Sequence, residues 1–109
     1  MKIYDVSILP LAEHDIARNT DYIFYEKESP ETAKKLLAGF QSTIRRLEQF
    51  PESHELDEDE DLAAMEIRKC YYKNYKIFFY VNGEKQTVYV LRVLHMLVDA
   101  KSLLLNLRS

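Results

Sequence analysis

Four side chains between Ile67 and Asp99 have the types needed for phosphate chemistry: Arg68, Lys76, Arg92 and His95. Guanidinium and ammonium groups neutralise a phosphate or a developing negative charge. An imidazole that ionises near neutral pH can take or give a proton. Lys69 and Lys73 add charge to the same stretch. Tyr71, Tyr72, Tyr75, Tyr80 and Tyr89 interleave with it and offer rings on which bases can stack. Each residue also has a plainer use. Tyrosine is a favoured strand residue, and a histidine ending an apolar strand is more often packed and hydrogen-bonded than catalytic. Alternation along the last run groups Leu91, Val93 and His95 on one face and Val90, Arg92 and Leu94 on the other.

Other chemistries find little footing. The two glycines, Gly39 and Gly83, cannot build a phosphate-cradling loop. No HExxH spacing occurs, and His14, His54 and His95 fall in three different elements. The acids at 57–61 lack the glycine and distal glutamate of a calcium loop. Ser53-His54 has no supporting nucleophile motif, and Cys70 reads as a small half-buried hydrophobe. Neither a metal nor a cofactor is expected.

The elements that must position these groups form an antiparallel meander. Strands are expected at about 66–72, 75–81 and 86–94, separated by Lys73-Asn74 and Asn82-Gly83. Asn-Gly between β-formers is a strong signal for a type I′ hairpin, because both residues tolerate positive φ. Upstream, residues 3–9 alternate, with Tyr4, Val6 and Ile8 on one face of a strand. Pro10 suits a first helical position. Leu11, Ala12, Ile16, Ile23 and Phe24 give a partial apolar stripe, predicting a helix over about 10–27. A second helix is predicted from Ser29 (N-cap) and Pro30 (N1). Ala33, Leu36, Leu37, Phe40, Ile44 and Leu47 recur along it at helical spacing until Phe50-Pro51 ends it. The acidic stretch 52–62 shows no period and reads as a loop. Leu97, Leu103, Leu104 and Leu107 suggest a short C-terminal helix. The expected fold is a small α+β domain, β-α-α-β-β-β, with a helical hairpin packed on an antiparallel sheet.

At 109 residues, with 47% hydrophobic and 30% charged side chains, the chain reads as one globular domain over 1–109. One cysteine rules out an internal disulfide. No apolar run resembles a signal peptide or membrane span, so the expected location is cytoplasmic, with no membrane partner. The net charge of −3 conceals a split. Residues 52–66 hold eight acids and no Lys or Arg, and without them 15 basic side chains face 10 acidic ones. From Ile67 onward eight basic residues meet only Glu84 and Asp99. Such a pattern fits a basic face that meets an acidic partner or nucleic acid, and equally a solvated loop beside a mixed surface.

Several runs in order carry a family resemblance: Pro10-x-Ala12-Glu13-x-Asp15-Ile16, Asp21-Tyr22-Ile23, Ser29-Pro30-Glu31 and Leu47-Glu48-Gln49-Phe50-Pro51, followed by Ile67-Arg68, Asn74-Tyr75-x-Ile77-Phe78-Phe79-Tyr80 and Val88 through His95. In these the chain resembles the RelE/ParE toxin superfamily of bacterial type II toxin–antitoxin, or plasmid-stabilisation, modules. The resemblance implies a growth-inhibiting toxin neutralised by a cognate antitoxin, meeting operator DNA only through that antitoxin. RelE-like members are metal-independent endoribonucleases that cut mRNA on the ribosome; ParE-like members poison DNA gyrase. For a nuclease the resemblance puts His95 and Lys76 in catalysis and Arg68, Lys73 and Arg92 on phosphate or target. Met96, Leu97 and Val98 stand where either subfamily commonly carries charge, and no tyrosine follows Tyr89. The expectation is therefore ParE-like gyrase poisoning ahead of RelE-like cleavage, with a degenerate, non-toxic antitoxin- or operator-binding module as a third reading.

Overall fold

A computed structural model describes residues 3–106. The elements follow in the order β1 (Asp5–Ile8), α1 (Pro10–Asp21), α2 (Pro30–Arg45), α3 (Glu60–Ala64), β2 (Ile67–Tyr72), β3 (Tyr75–Asn82), β4 (Thr87–His95) and α4 (Ala100–Leu105). Leu107 of the expected C-terminal helix lies outside the described residues. Pro10 opens α1 as anticipated, and the helix runs into one π-helical turn, Tyr22–Glu26. On this first helix the apolar stripe is narrower than the sequence suggests. Ala12 and Ile16 are buried, whereas Leu11 and Phe24 face outward. α2 matches its pattern closely: Ala33, Leu36, Phe40 and Ile44 are buried, and Leu47 follows in a 3₁₀ turn. Leu37 alone departs and is exposed. The chain then reverses at Phe50, which takes a left-handed φ of 50° before Pro51.

The sheet has the strand order β1-β4-β3-β2. β2, β3 and β4 form the expected antiparallel meander, but β1 joins β4 in parallel, so the sheet is mixed. That long-range pairing requires the chain to cross over, and the two helices supply the crossover. The turns differ from expectation as well. Between β3 and β4 lies a four-residue loop, Gly83–Gln86, and its left-handed residue is Gln86 (φ 47°), not Gly83. Asn82 serves the turn through its side chain, Oδ1 accepting from the Lys85 N–H at 3.1 Å. The other turn is a two-residue link in which Lys73 adopts φ 52°.

A β-bulge changes which side chains share a face. Phe78 stands opposite Arg92 while Phe79 stands opposite Val90, leaving Leu91 as the extra residue. Val90 and Val93 consequently both enter the core under the helices, and Leu91 packs on the other side. The simple alternation that grouped Leu91 with Val93 does not survive this insertion.

Each face of the sheet has its own core. One is filled from α1 and α2 by Ile16, Leu36, Phe40, Ile44 and Leu47 against Cys70, Ile77, Phe79, Val88, Val90 and Val93. The opposite face is covered by α3 and α4, with Leu62 and Leu104 over Ile67, Phe78 and Leu94. Full burial of side chains as large as Phe40 or Phe78 is worth about 1.5–3 kcal/mol each. The acidic stretch is correspondingly more ordered than a plain loop. Asp59 caps α3 by accepting from the Asp61 and Leu62 N–H groups. Lys69 pairs with Asp57 and Glu58, and Lys101 reaches Asp59 and Asp61 at 3.0 and 3.1 Å. Among the described residues, no helix is long and apolar enough to cross a membrane.

Candidate functional site

One end of the sheet gathers the β2–β3 turn and the segment that leaves β4. The Met96 N–H donates to the Asn74 carbonyl at 2.8 Å, tying the two together. His95 stands opposite Tyr75, and their rings meet edge to face at 5.4 Å. Tyr75 in turn packs edge-on against Phe40 at 5.0 Å, so the imidazole rests on a ring anchored in the core. Burial pushes the Tyr75 phenol above its usual range, so that it stays neutral and acts only through its hydroxyl and its ring face. His95 Nδ1 accepts the Leu97 N–H at 3.2 Å, and its carbonyl accepts the Val98 N–H at 3.0 Å. Occupying Nδ1 as an acceptor leaves Nε2 as the nitrogen that carries the proton in the neutral ring. Lys73 lies over Tyr72 at 5.7 Å from the ring centroid.

The turn built on His95 pushes apolar side chains into solvent. Met96, Leu97 and Val98 are 47%, 90% and 43% exposed, against a core in which comparable side chains are near zero. Local hydrogen bonding explains this: the two N–H groups folded back on His95 fix a tight turn, and its tip faces away from both cores. The rim therefore brings together Lys73, the His95 imidazole and an apolar tip.

The remaining sequence-selected residues lie elsewhere. Arg92 is buried, its Nε and Nη2 donating to Asp15 at 2.7 and 2.9 Å. The same Asp15 carboxylate accepts the Val93 N–H at 3.0 Å. β1 stops at Ile8, opposite Val90, so the outer edge of β4 beyond that point lacks a strand partner; Asp15 of α1 supplies the missing acceptor. These contacts hold the Arg92 guanidinium even further above the neutral range and point it away from solvent. Arg68 donates to the backbone carbonyls of His54 (2.6 Å) and Glu52 (3.3 Å), pinning the segment after α2. Arg68 stands opposite Phe79, four positions along β3 from the Tyr75–His95 pair, a separation of roughly 13 Å at strand rise. Lys76 is next to Tyr75 on β3, so its side chain points to the opposite face from His95. The set does not converge on one point; only Lys73 and His95 share the rim.

A second concavity opens along the outer edge of β2. Thr43 of α2 and Arg46 just after it, Ser53, His54, Glu55 and Glu58 of the following segment, and Lys69, Cys70 and Tyr71 of β2 line a cleft of about 610 Å³. Burial pushes the Cys70 thiol up to about 11, with Arg46 opposing only in part, so it remains protonated. Burial also lowers the His54 imidazole, and the nearby Arg68 charge lowers it further, favouring the neutral ring. Reasoning from motifs passed over this cleft because its parts come from three separate segments. Asp15 was also missed, although an acid between Ala12 and Ile16 on the apolar side of a helix is itself a signal of a buried partner.

Comparisons with known proteins agree with this architecture. A family model described as the ParE toxin of the type II toxin–antitoxin system parDE matches residues 6–99. The chromosomal ParDE toxin–antitoxin system from P. aeruginosa includes a chain similar in fold: TM-score 0.68 and 17% identity, covering 87% of this chain and 98% of that one. The toxin–antitoxin complex RelBE2 from Mycobacterium tuberculosis gives TM-score 0.60 and 21% identity, covering 85% and 98%. At these identities the two structures speak for the fold alone. No curated protein matches the sequence.

Proposed function

The chain belongs to the ParE toxin family of type II toxin–antitoxin systems, and we propose that it poisons DNA gyrase through the rim at the His95 end of its sheet. A cognate antitoxin holds it in check, in keeping with the antitoxin-bound assemblies named for both structural neighbours. The observation that carries this reading is the exposed run Met96–Val98 beside His95. Exposed apolar side chains clustered at a tip suit a protein surface, where a few desolvated anchors supply most of the binding energy.

RNA cleavage makes a different demand. Cationic groups must converge on one phosphate to stabilise the charge that develops there, each worth several kcal/mol in the transition state. Here Arg92 is committed to Asp15, Arg68 to backbone carbonyls, and Lys76 to the face opposite His95. The competing RelE-like reading keeps His95 as acid or base, with Lys73 of the adjoining turn as the sequence-selected cation at the same end of the sheet. Purified protein incubated with gyrase, ATP and relaxed plasmid tests the choice: inhibition of supercoiling is expected. Cleavage of ribosome-bound mRNA with supercoiling untouched would reverse the assignment.

A further inference from the structure

The Asn82-Gly83 pair at the end of β3 contributes less to the turn than its sequence suggests. Gly83 takes no positive φ and leaves the left-handed position to Gln86. The pair has a second chemistry. An asparagine amide followed by a glycine nitrogen can close a five-membered ring, because glycine has no Cβ to hinder the nitrogen's approach to the side-chain Cγ. Gly83 is exposed, and among the described residues its N–H has no acceptor, so no ladder bond holds the nitrogen back.

The surroundings favour that ring closure. Attack of the Gly83 nitrogen on Cγ puts negative charge on Oδ1 of Asn82, and this atom already accepts the Lys85 N–H at 3.1 Å. A backbone donor aimed at the atom where charge develops stabilises the tetrahedral intermediate. The attacking nitrogen must also lose its proton. Glu52 Oε1 accepts the Tyr4 hydroxyl at 3.2 Å and lies 3.9 Å from the point that a Cβ on Gly83 would occupy. A carboxylate therefore stands beside the amide as a base. Water reaches the same place, because Asn82 and Gly83 line an open, mostly polar cleft of about 620 Å³ with Glu52, Glu66, Arg68 and Glu84.

We propose that Asn82-Gly83 is a self-modifying peptide, which cyclises to a succinimide and reopens as isoaspartate or aspartate at position 82. The bond from the Gly83 nitrogen to Cγ forms and the Cγ–Nδ2 bond breaks. Nδ2 leaves as ammonia, carrying the proton taken from the Gly83 nitrogen. Water then adds to one of the two ring carbonyls, so the balance is one water in and one ammonia out. Opening at Cγ gives aspartate; opening at the backbone carbonyl routes the chain through Cβ and Cγ. Either product adds a carboxylate to Glu52, Glu66 and Glu84 around the cleft, with Arg68 as the cation lining it. The isoaspartyl link also lengthens the backbone by one methylene just after the Asn82–Thr87 pair. The loop it enters ends at Gln86, whose carbonyl accepts the Asp5 N–H at 2.9 Å, so β1 is the element it loosens. This loop lies at the opposite end of β3 and β4 from His95, and the inference does not depend on the gyrase assignment.

The test incubates the full folded chain at mildly alkaline pH and follows it by peptide mapping, mass spectrometry and isoaspartyl methyltransferase labelling. Position 82 should change from amide to acid, with isoaspartate exceeding aspartate; direct hydrolysis of the amide gives aspartate alone. Conversion should be at least as fast as in the same chain unfolded in guanidinium chloride, because only the folded loop supplies the donor and the base. Glu52→Gln, which still accepts the Tyr4 hydroxyl, should slow it at least about threefold with an unchanged melting curve. Gly83→Ala, whose added Cβ meets Glu52 Oε1 at an ordinary 3.9 Å, should keep the fold and slow conversion at least about tenfold. Amide exchange at Asp5 should quicken in the converted protein. No change at position 82, aspartate without isoaspartate, conversion slower in the folded chain than in the unfolded one, or an unaltered rate in Glu52→Gln would overturn the proposal. Unchanged Asp5 exchange would overturn its coupling to β1.

Discussion

Replacing Asp15 with alanine tests the junction that sets the position of β4 and therefore of the rim. In the folded chain one carboxylate accepts two Arg92 N–H groups and the Val93 N–H, all within 3.0 Å and all buried. Arg18 also approaches it at 3.4 Å, but its side chain is mostly exposed and adds little. Asp15→Ala leaves a buried guanidinium and a backbone N–H without partners. Breaking a buried pair from one side costs about 3–5 kcal/mol, a large part of the roughly 5–15 kcal/mol that holds a domain of this size together. Asp15→Leu combined with Arg92→Met should be milder, because apolar replacement removes both charges together. The Val93 N–H would still be orphaned, at about 1–3 kcal/mol. Urea unfolding followed by circular dichroism gives both values, provided the m-values agree. A loss below about 1 kcal/mol for Asp15→Ala, or a double variant no more stable than the single one, would refute the reasoning.

Two further outcomes follow from the packing and the ionisation. A Cβ added at Gly39 would lie 1.9 Å from Cζ of Tyr72, so Gly39→Ala must displace that ring from Phe40. Overpacking of about 1–3 kcal/mol should outweigh the roughly 1 kcal/mol gained in helix propensity; in a Tyr72→Leu background, thermal melts should show the same substitution becoming stabilising. His54 is depressed by burial and then by Arg68, so the unfolded chain binds its proton first as pH falls. Stability should decline on acidification through the ordinary histidine range near 6.5 and level off below the folded value; denaturant titrations of His54→Gln should lack that step.

Much of the fold is written in local pattern. The α2 stripe of Ala33, Leu36, Phe40, Ile44 and Leu47, the Pro10 and Pro30 helix starts and the three meander strands all follow from spacings that a helix or strand requires. What was hidden depends on distant partners. The parallel β1–β4 pairing joins segments separated by the whole helical hairpin, and no turn signal announces it. The bulge at Leu91 shows only as the three-residue interval between Val90 and Val93, which alternation misreads. Asp15 is an acid on the apolar side of α1, beside Ala12 and Ile16, and Arg92 is a lone charge within an apolar strand. That mutual anomaly is the legible trace of their pairing. Arg92 consequently looks like a phosphate ligand in a list of basic residues and like a structural cation once its neighbours are known. Short α3 escaped notice because five residues carry no period; Asp59 as N-cap was its one local mark.

The rim is best tested by a substitution that separates binding from folding. Leu97 is 90% exposed, so Leu97→Asp should leave stability within about 0.5 kcal/mol while placing a charge at the centre of the proposed contact. Trapped gyrase–DNA cleavage complexes, scored as linearised plasmid after denaturation, are the readout. Wild-type protein should accumulate them, and Leu97→Asp should lose at least tenfold of that activity with an unchanged melting curve. Full activity in Leu97→Asp, or no cleavage complex from wild-type protein that cuts ribosome-bound mRNA, would contradict the account.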